Sequence, residues 1–67
     1  MLRYDYMKIK TAREREGLSQ SEAADLARIG LRQWQKYENN EAEPGIRAYL
    51  RIVNALGLNA AGLLRDE

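Results

Sequence analysis

Residues 19–40 carry the sequence S-Q-S-E-A-A-D-L-A-R-I-G-L-R-Q-W-Q-K-Y-E-N-N, which predicts two short helices joined by a tight link. Ser19 and Glu22 have the spacing of a capping box, in which each side chain satisfies a backbone N–H at the start of a helix. The second helix follows the three-residue link Arg28-Ile29-Gly30. Because the link is so short, the two helices must cross at a steep angle, and the second projects outward from the first.

Three further helices are predicted around this pair. Asp5 and Asn59 are suitable N-cap residues for the first and the last helix, and Pro44 marks the loop before the fourth. The five predicted helices span residues 6–16, 20–27, 31–39, 45–56 and 60–64. No stretch alternates with a period of two over a convincing length, so strands are not expected. The predicted fold class is all-α, a compact bundle of five short helices in a single domain over residues 1–67.

The composition argues against catalysis and against metal binding. The chain has 67 residues with no cysteine and no histidine, which excludes disulfides, thiolate metal sites and histidine general bases. Ser19 and Ser21 are explained by helix capping, and the acidic residues are spread along the chain. We therefore expect no enzymatic activity, no metal and no cofactor.

The distribution of apolar residues predicts a cytoplasmic protein with no membrane partner. No apolar run approaches the roughly 20 residues of a membrane-spanning helix. The N-terminus lacks the apolar stretch of a signal peptide.

The charges are distributed unevenly, although the net charge is only +1. Through Asn40 the chain has eight Lys and Arg against six Asp and Glu, whereas from Glu41 onward it has three against four. A surface that faces a polyanion is therefore expected in the first forty residues. An ordinary solvated surface of mixed charge is the alternative interpretation.

The predicted helix over residues 31–39 combines an aromatic face with polar side chains that can read DNA bases. Trp34 and Tyr37 are three residues apart and share one face. The polar positions are Arg32, Gln33, Gln35, Lys36 and Asn39. Arginine and lysine can donate to guanine O6 and N7, and glutamine and asparagine can form a bidentate pair with adenine. The alternative is a polar face with no ligand.

The chain resembles the phage-repressor/Cro (xenobiotic-response-element, XRE) helix-turn-helix family over nearly its whole length, from Ile9 to Leu64. The segments that carry the resemblance are R-E-R-E-G-L-S-Q (13–20), E-A-A-D-L-A (22–27), W-Q-K-Y-E-N-N (34–40), the single Pro44 and A-L-G-L-N (55–59). The resemblance implies a lambda-repressor-like DNA-binding domain. It further implies sequence-specific binding of double-stranded DNA by a transcriptional repressor, acting as a homodimer on a two-fold symmetric operator.

The resemblance also implies roles for individual residues. Gln20 matches a position that contacts the DNA backbone in such domains, and Asn39 and Asn40 match positions that usually meet phosphate. Leu31, Arg32 and Lys36 match positions that point at base edges, and Gln33 and Gln35 lie beside them as further DNA-binding candidates. Arg13 and Glu38 match a structural salt bridge between the first and third helices. The dimer interface is expected in the fourth and fifth helices, with Ala60, Ala61 and Leu64 as its candidates.

Several core and link positions depart from the family pattern. Alanines at 23 and 27 stand where leucines are usual, and Trp34 stands where a small aliphatic residue is usual. We hypothesise that Trp34 fills the space left by the two alanines; an exposed aromatic residue that contacts a partner is the alternative. Arg28 replaces a glycine and Gly30 replaces a capping serine or threonine, so the geometry of the link is in question.

Two departures near the predicted DNA-binding helix support a competing hypothesis. Leu31 can contact a thymine methyl group or belong to the core or its edge. Glu41 and Glu43 lie in a loop where basic residues are usual, and they would weaken contacts with phosphate. The alternative function is a protein-interaction module on the same fold, such as an antitoxin-like or regulator-binding subunit with a protein partner and little or no DNA binding.

Overall fold

The computed structural model describes residues 2–66, and within that range the chain forms four helices and one small antiparallel sheet. The elements are β1 (Leu2–Tyr4), α1 (Tyr6–Arg15), α2 (Gln20–Ala27), α3 (Leu31–Glu38), α4 (Ile46–Ala55) and β2 (Leu64–Asp66). Helices α1 to α4 begin and end within one residue of their predicted bounds. In the described part of the chain, no helix is long and apolar enough to span a membrane.

The capping box at the start of α2 is formed as the sequence indicates. Ser19 Oγ accepts a hydrogen bond from the backbone N–H of Glu22 at 3.0 Å, and Glu22 Oε1 accepts one from the backbone N–H of Ser19 at 2.9 Å. Helix α2 ends at Arg28, whose φ of 57° lies in the left-handed region. Asp5 caps α1 by accepting from the N–H of Met7 at 3.1 Å.

A single hydrophobic core lies between the four helices and the turn that precedes β2. Its largest fully buried side chains are Trp34, Ile9, Ile52, Leu56 and Leu63. Trp34 is 0% exposed and lies in the same buried cluster as Ala23 and Ala27. The interpretation of Trp34 as an exposed aromatic residue is therefore wrong.

The predicted fifth helix over residues 60–64 is absent, and the chain forms a turn followed by β2 instead. Asn59 does accept a hydrogen bond from the backbone N–H of Ala61, at 3.0 Å, but no helix follows. Gly62 packs so closely that an added Cβ would lie 2.8 Å from Cβ of Leu58. The backbone carbonyl of Leu63 then accepts from the N–H of Asp5 at 2.8 Å.

The prediction that the chain has no strands is also wrong. Strands β1 and β2 pair antiparallel with Tyr4 opposite Leu64 and Leu2 opposite Asp66. Each strand has only three residues, which is too few to display a periodic pattern. The pairing joins the two ends of the described chain next to α1.

Candidate nucleic-acid interface

Helix α3 has one face in the core and the other in solvent. Trp34, Tyr37 and Glu38 are buried, with exposures of 0%, 7% and 7%. On the other side Arg32, Gln33 and Gln35 are exposed, Lys36 is half-buried and Asn39 is exposed just beyond the last turn. The structure thus brings the predicted base-reading side chains onto one accessible surface.

Leu31 lies at the start of α3 and is 43% exposed. Of the two interpretations of this leucine, membership of the buried core does not hold. Gly30 precedes it as the N-cap residue and has no side chain to cap the helix. The first turn of α3 therefore presents Leu31 and Arg32 to solvent together.

Glu38 joins three helices through a buried network. Arg13 donates to both carboxylate oxygens of Glu38, through Nε at 2.7 Å and through Nη2 at 3.2 Å. Gln20 Nε2 donates to Oε1 at 3.2 Å, and Nε1 of Trp34 donates to Oε2. Arg13 also donates from Nη1 to the carbonyl of Leu18 at 2.8 Å. The ion pair that the family resemblance implies is therefore present, and it fixes α3 relative to α1 and α2.

Both members of this ion pair are held in their charged forms. Burial by itself raises the pKa of the Glu38 carboxyl. The hydrogen bonds that it accepts from Arg13, Trp34 and Gln20 outweigh burial, and together with the charge of Arg13 they lower the pKa below its ordinary value. The hydrogen bond to Glu38 raises the pKa of the Arg13 guanidinium.

Gln20 connects this network to the exposed face of α3. Its amide nitrogen donates to Glu38, while its Oε1 accepts from Nε2 of Gln35 at 3.3 Å. Gln20 is half-buried and Gln35 is exposed. Gln20 and Gln35, both predicted to contact DNA, are thus hydrogen-bonded to each other, and the buried carboxylate of Glu38 orients Gln20.

A polar cleft of about 630 Å³ lies between α1, the start of α2 and the end of α3, and we call it the α1 cleft. It is lined by Tyr6, Met7, Lys10, Thr11, Arg13, Glu14, Gln20, Glu38 and Asn39. The predicted phosphate-contacting residues Gln20 and Asn39 therefore share this cleft. Asn40 does not line it; its φ of 60° ends α3 in the left-handed conformation that asparagine tolerates.

Lys10 is a residue of this surface that the sequence analysis missed. Its side chain is exposed, and Arg13, the other cation of the cleft, is neutralised by Glu38. Lys10 precedes Arg13 by three residues in α1, so helical spacing alone places both on one face. The exposed Glu14 lies on the same face and lowers the positive potential of the cleft.

An acidic loop follows α3 directly; we define it as residues 41–43. Glu41 and Glu43 are exposed and Ala42 between them is half-buried. Near Glu43, the hydroxyl of Tyr4 donates to the carbonyl of Tyr37 at 3.1 Å. Burial raises the pKa of Tyr4, and the neighbouring carboxylates, Glu38 first, raise it further.

The three predicted dimer residues lie in the turn and strand that replace the fifth helix. Ala60 and Ala61 are exposed, and Leu64 is half-buried in β2. Ala60 and Leu64 line an apolar groove of about 400 Å³, and Ala61 does not. The other residues of this apolar groove are Tyr4, Pro44, Ile46, Tyr49 and Leu50. Ile46 and Leu50 are 72% and 49% exposed.

The comparisons with known proteins place the chain in a class. A family model described as "Helix-turn-helix domain" matches residues 6–67, and the chain belongs to this family of helix-turn-helix domains. The resemblance to the XRE type of this domain is confirmed.

One similar solved structure is the crystal structure of the master regulator for biofilm formation, SinR, in complex with DNA. It is 25% identical in sequence, with a TM-score of 0.81, and the match covers 87% of this chain and 97% of that chain. No curated protein matches the sequence.

Proposed function

We propose that this chain is a DNA-binding transcription regulator that represses its target as a homodimer on a two-fold symmetric operator. The observation that carries the proposal is the exposed polar surface of α3, held in place from below by the buried Trp34 and the Glu38 network. In the proposed complex α3 lies in the major groove, where an α-helix fits and each base pair presents a distinct pattern of donors and acceptors. The similarity to SinR, whose structure contains DNA, supports the binding of DNA.

Side chains of α3 have separate roles in the proposed complex. Arg32, in the first turn, donates to guanine O6 and N7, and Gln35 forms a bidentate pair with adenine. Leu31 packs against a thymine methyl group. The hydrogen bond from Gln35 to Gln20 restricts the rotamers of Gln35, which reduces the entropy that ordering this side chain costs on binding.

The α1 cleft contacts the DNA backbone in this proposal. Lys10, Gln20 and Asn39 converge on it from three helices, and Lys10 supplies a positive charge that Glu38 does not neutralise. Phosphate contacts set the register of a protein on DNA, whereas base contacts set the sequence. Binding is therefore expected to weaken as salt increases, because counterions are released from the phosphates.

The homodimer forms across the apolar groove in this proposal. Ile46 and Leu50 are one helical turn apart in α4, and both expose apolar surface to the groove. A groove of this kind is self-complementary when the same patch of a second copy packs against it about a two-fold axis. The dimer residues predicted from sequence, Ala60 and Leu64, lie at its edge.

The dimer is tested with Leu50→Asp. Because Leu50 is 49% exposed, this variant is expected to fold, and sedimentation equilibrium should find it monomeric at concentrations where the wild-type chain is dimeric. Leu26→Asp is the matched control, since Leu26 is 60% exposed and lies outside the groove. Equal dimerisation by the two variants would contradict the assignment of the groove.

The proposed function is tested by selecting bound sequences from a random duplex pool and titrating the enriched DNA at two salt concentrations. We expect a two-fold symmetric motif whose affinity falls with salt. Placed over a promoter, the motif should lower expression of a reporter when the protein is present. Lack of enrichment by a folded protein would contradict the proposal and support the protein-interaction module.

A further inference from the structure

A cationic cleft lies at the end of α2 away from the α1 cleft. Its volume is about 320 Å³, and Leu26, Ala27, Arg28, Arg51 and Asn54 line it. No carboxylate lines the cleft. Among residues 2–66, neither Arg28 nor Arg51 forms an ion pair. This cleft therefore holds two uncompensated positive charges beside an exposed leucine.

The acidic loop carries the complementary charges. Glu41 and Glu43 are both exposed, and within the described residues neither carboxylate pairs with a cation. The loop therefore carries two unpaired negative charges, and the cleft carries two unpaired positive charges.

The cationic cleft and the acidic loop lie at opposite ends of α3. Arg28 precedes this helix and Glu41 follows it, and its eight residues correspond to about 12 Å along the axis. In the part of the chain that the structure describes, no ion pair joins the loop to the cleft. Each copy thus presents the unpaired cationic cleft at one end of α3 and the unpaired acidic loop at the other.

We propose that the acidic loop of one copy docks into the cationic cleft of a second copy, so that neighbouring copies associate head to tail. The two surfaces are different patches of the same chain, so the contact is heterologous and can extend from copy to copy. Exposed ion pairs are individually weak and are screened by salt, so free copies associate weakly. Copies held side by side on one DNA molecule have a high effective concentration, and the contact then gives cooperative occupancy.

A contact between copies explains why the acidic residues Glu41 and Glu43 lie beside the surface that is proposed to face phosphate. Paired with Arg28 and Arg51 of a neighbour, Glu41 and Glu43 no longer repel DNA. The contact does not depend on the proposed function, because the two complementary surfaces exist without DNA and lie apart from the apolar groove.

The test uses two neutralised variants of the full chain, followed by NMR at low salt. Arg28→Gln/Arg51→Gln keeps the acidic loop, and Glu41→Gln/Glu43→Gln keeps the cationic cleft. All four side chains are exposed, so both variants are expected to fold. We expect the wild-type amides around residues 26–28, 41–43 and 51–54 to shift as concentration rises from micromolar to millimolar, and we expect neither variant alone to show these shifts.

Mixing the two variants tests directly whether the loop of one copy binds the cleft of another. One copy still has the loop and the other still has the cleft, so the heterologous contact re-forms between the two variants. Labelled Arg28→Gln/Arg51→Gln should shift only around residues 41–43, and labelled Glu41→Gln/Glu43→Gln only around 26–28 and 51–54. Addition of 0.5 M salt should abolish the shifts.

The matched control is Arg15→Gln/Arg47→Gln, which removes the same charge from exposed positions outside the cleft and should associate as the wild type does. Three results would overturn the proposal: no concentration-dependent shifts in the wild type, shifts that survive in either neutralised variant, or loss of the shifts in the control. Shifts of Ile46 and Leu50 alone would report the apolar groove instead, and would equally contradict this contact.

Discussion

Glu38 is a carboxylate inside a small core, and its environment explains why it is tolerated there. Its side chain is 3% exposed, and that of its partner Arg13 is 11% exposed. A buried charge is costly unless it is paired and hydrogen-bonded, and Glu38 accepts from three different residues. In the described region, no buried side-chain polar atom lacks a hydrogen-bond partner. Burying the Glu38 carboxylate costs desolvation energy, and the network that offsets this cost also fixes the orientation of α3.

Removing the charge of Glu38 should destabilise the domain. Glu38→Gln is expected to lower the free energy of unfolding by about 3 kcal/mol, because it leaves the Arg13 guanidinium without its counter-charge. Urea denaturation followed by circular dichroism measures the change. Glu14→Gln is the control at an exposed position and should change stability by less than about 0.5 kcal/mol. Equal stability of the two variants would contradict the role of the network.

The same carboxylate predicts how stability depends on pH. The pKa of Glu38 in the folded chain is lower than its ordinary value of 4.5, so the unfolded chain binds this proton more tightly. The stabilisation is therefore fully present above about pH 4.5 and is lost as the pH falls through the folded pKa. Wild-type stability should decline more steeply below pH 4.5 than that of Glu38→Gln. Parallel acid-unfolding curves would show that Glu38 does not titrate with folding.

Arg28 is strained at its position in the link. Its φ of 57° is a conformation that costs a residue with a Cβ roughly 1–2 kcal/mol. Arg28→Gly and Arg28→Ala both remove the charge, but only the glycine also removes the Cβ. The glycine variant should therefore be more stable than the alanine variant by about 1–2 kcal/mol in chemical denaturation. An alanine variant as stable as the glycine variant would contradict this strain, because the backbone at residue 28 would then tolerate a Cβ without cost.

Among the helices and strands, those that depend on local sequence signals were predicted correctly. The caps at Asp5 and Ser19, the link Arg28-Ile29-Gly30 and the loop at Pro44 are encoded within a few neighbouring residues, and α1 to α4 follow from them. Strand β1 depends on pairing with residues about sixty positions away, and no local pattern reports such a partner. The supposed fifth helix has a cap residue, Asn59, but Gly62 packs against Leu58 and the chain extends toward β1 instead.

The packing of α3 on α2 is tested through Trp34. The fully buried indole lies in the same hydrophobic cluster as Ala23 and Ala27, so truncation opens a large cavity. Trp34→Ala should lower the free energy of unfolding by about 3–5 kcal/mol. Leu31→Ala, on the exposed side of α3, is expected to cost less than about 1 kcal/mol. A negligible loss for Trp34→Ala would refute the hypothesis that the indole replaces the missing leucines.

The α1 cleft makes a prediction for α1 as a DNA-contacting element. Lys10→Gln should weaken binding to all duplexes alike and reduce the slope of log K against log salt by about 0.9, the value for one lost phosphate contact. Arg15→Gln removes the same charge from α1 outside this cleft and should leave the slope unchanged. If the wild type binds DNA and the two variants have the same slope, Lys10 does not contact phosphate.

At the scale of the whole molecule, the candidate site was only partly visible in the sequence. Helical spacing and the family resemblance both indicated the polar residues of α3, whereas the pair formed by Arg13 and Glu38 was predicted from the resemblance alone. The joining of Gln20 to Gln35, the place of Lys10 and the apolar groove were not, since each depends on how separate elements meet. The net charge of +1 conceals a surface with separate basic and acidic patches.

The central claim is that α3 reads base edges, and Arg32→Ala tests it most directly. Wild type and variant would be titrated against the selected duplex and against each of its single-base substitutions at one salt concentration. The account predicts that the variant loses about 1–3 kcal/mol of discrimination at one base position in each half-site, while the preferences at the other positions remain. Unchanged affinity and unchanged discrimination at every position would contradict it.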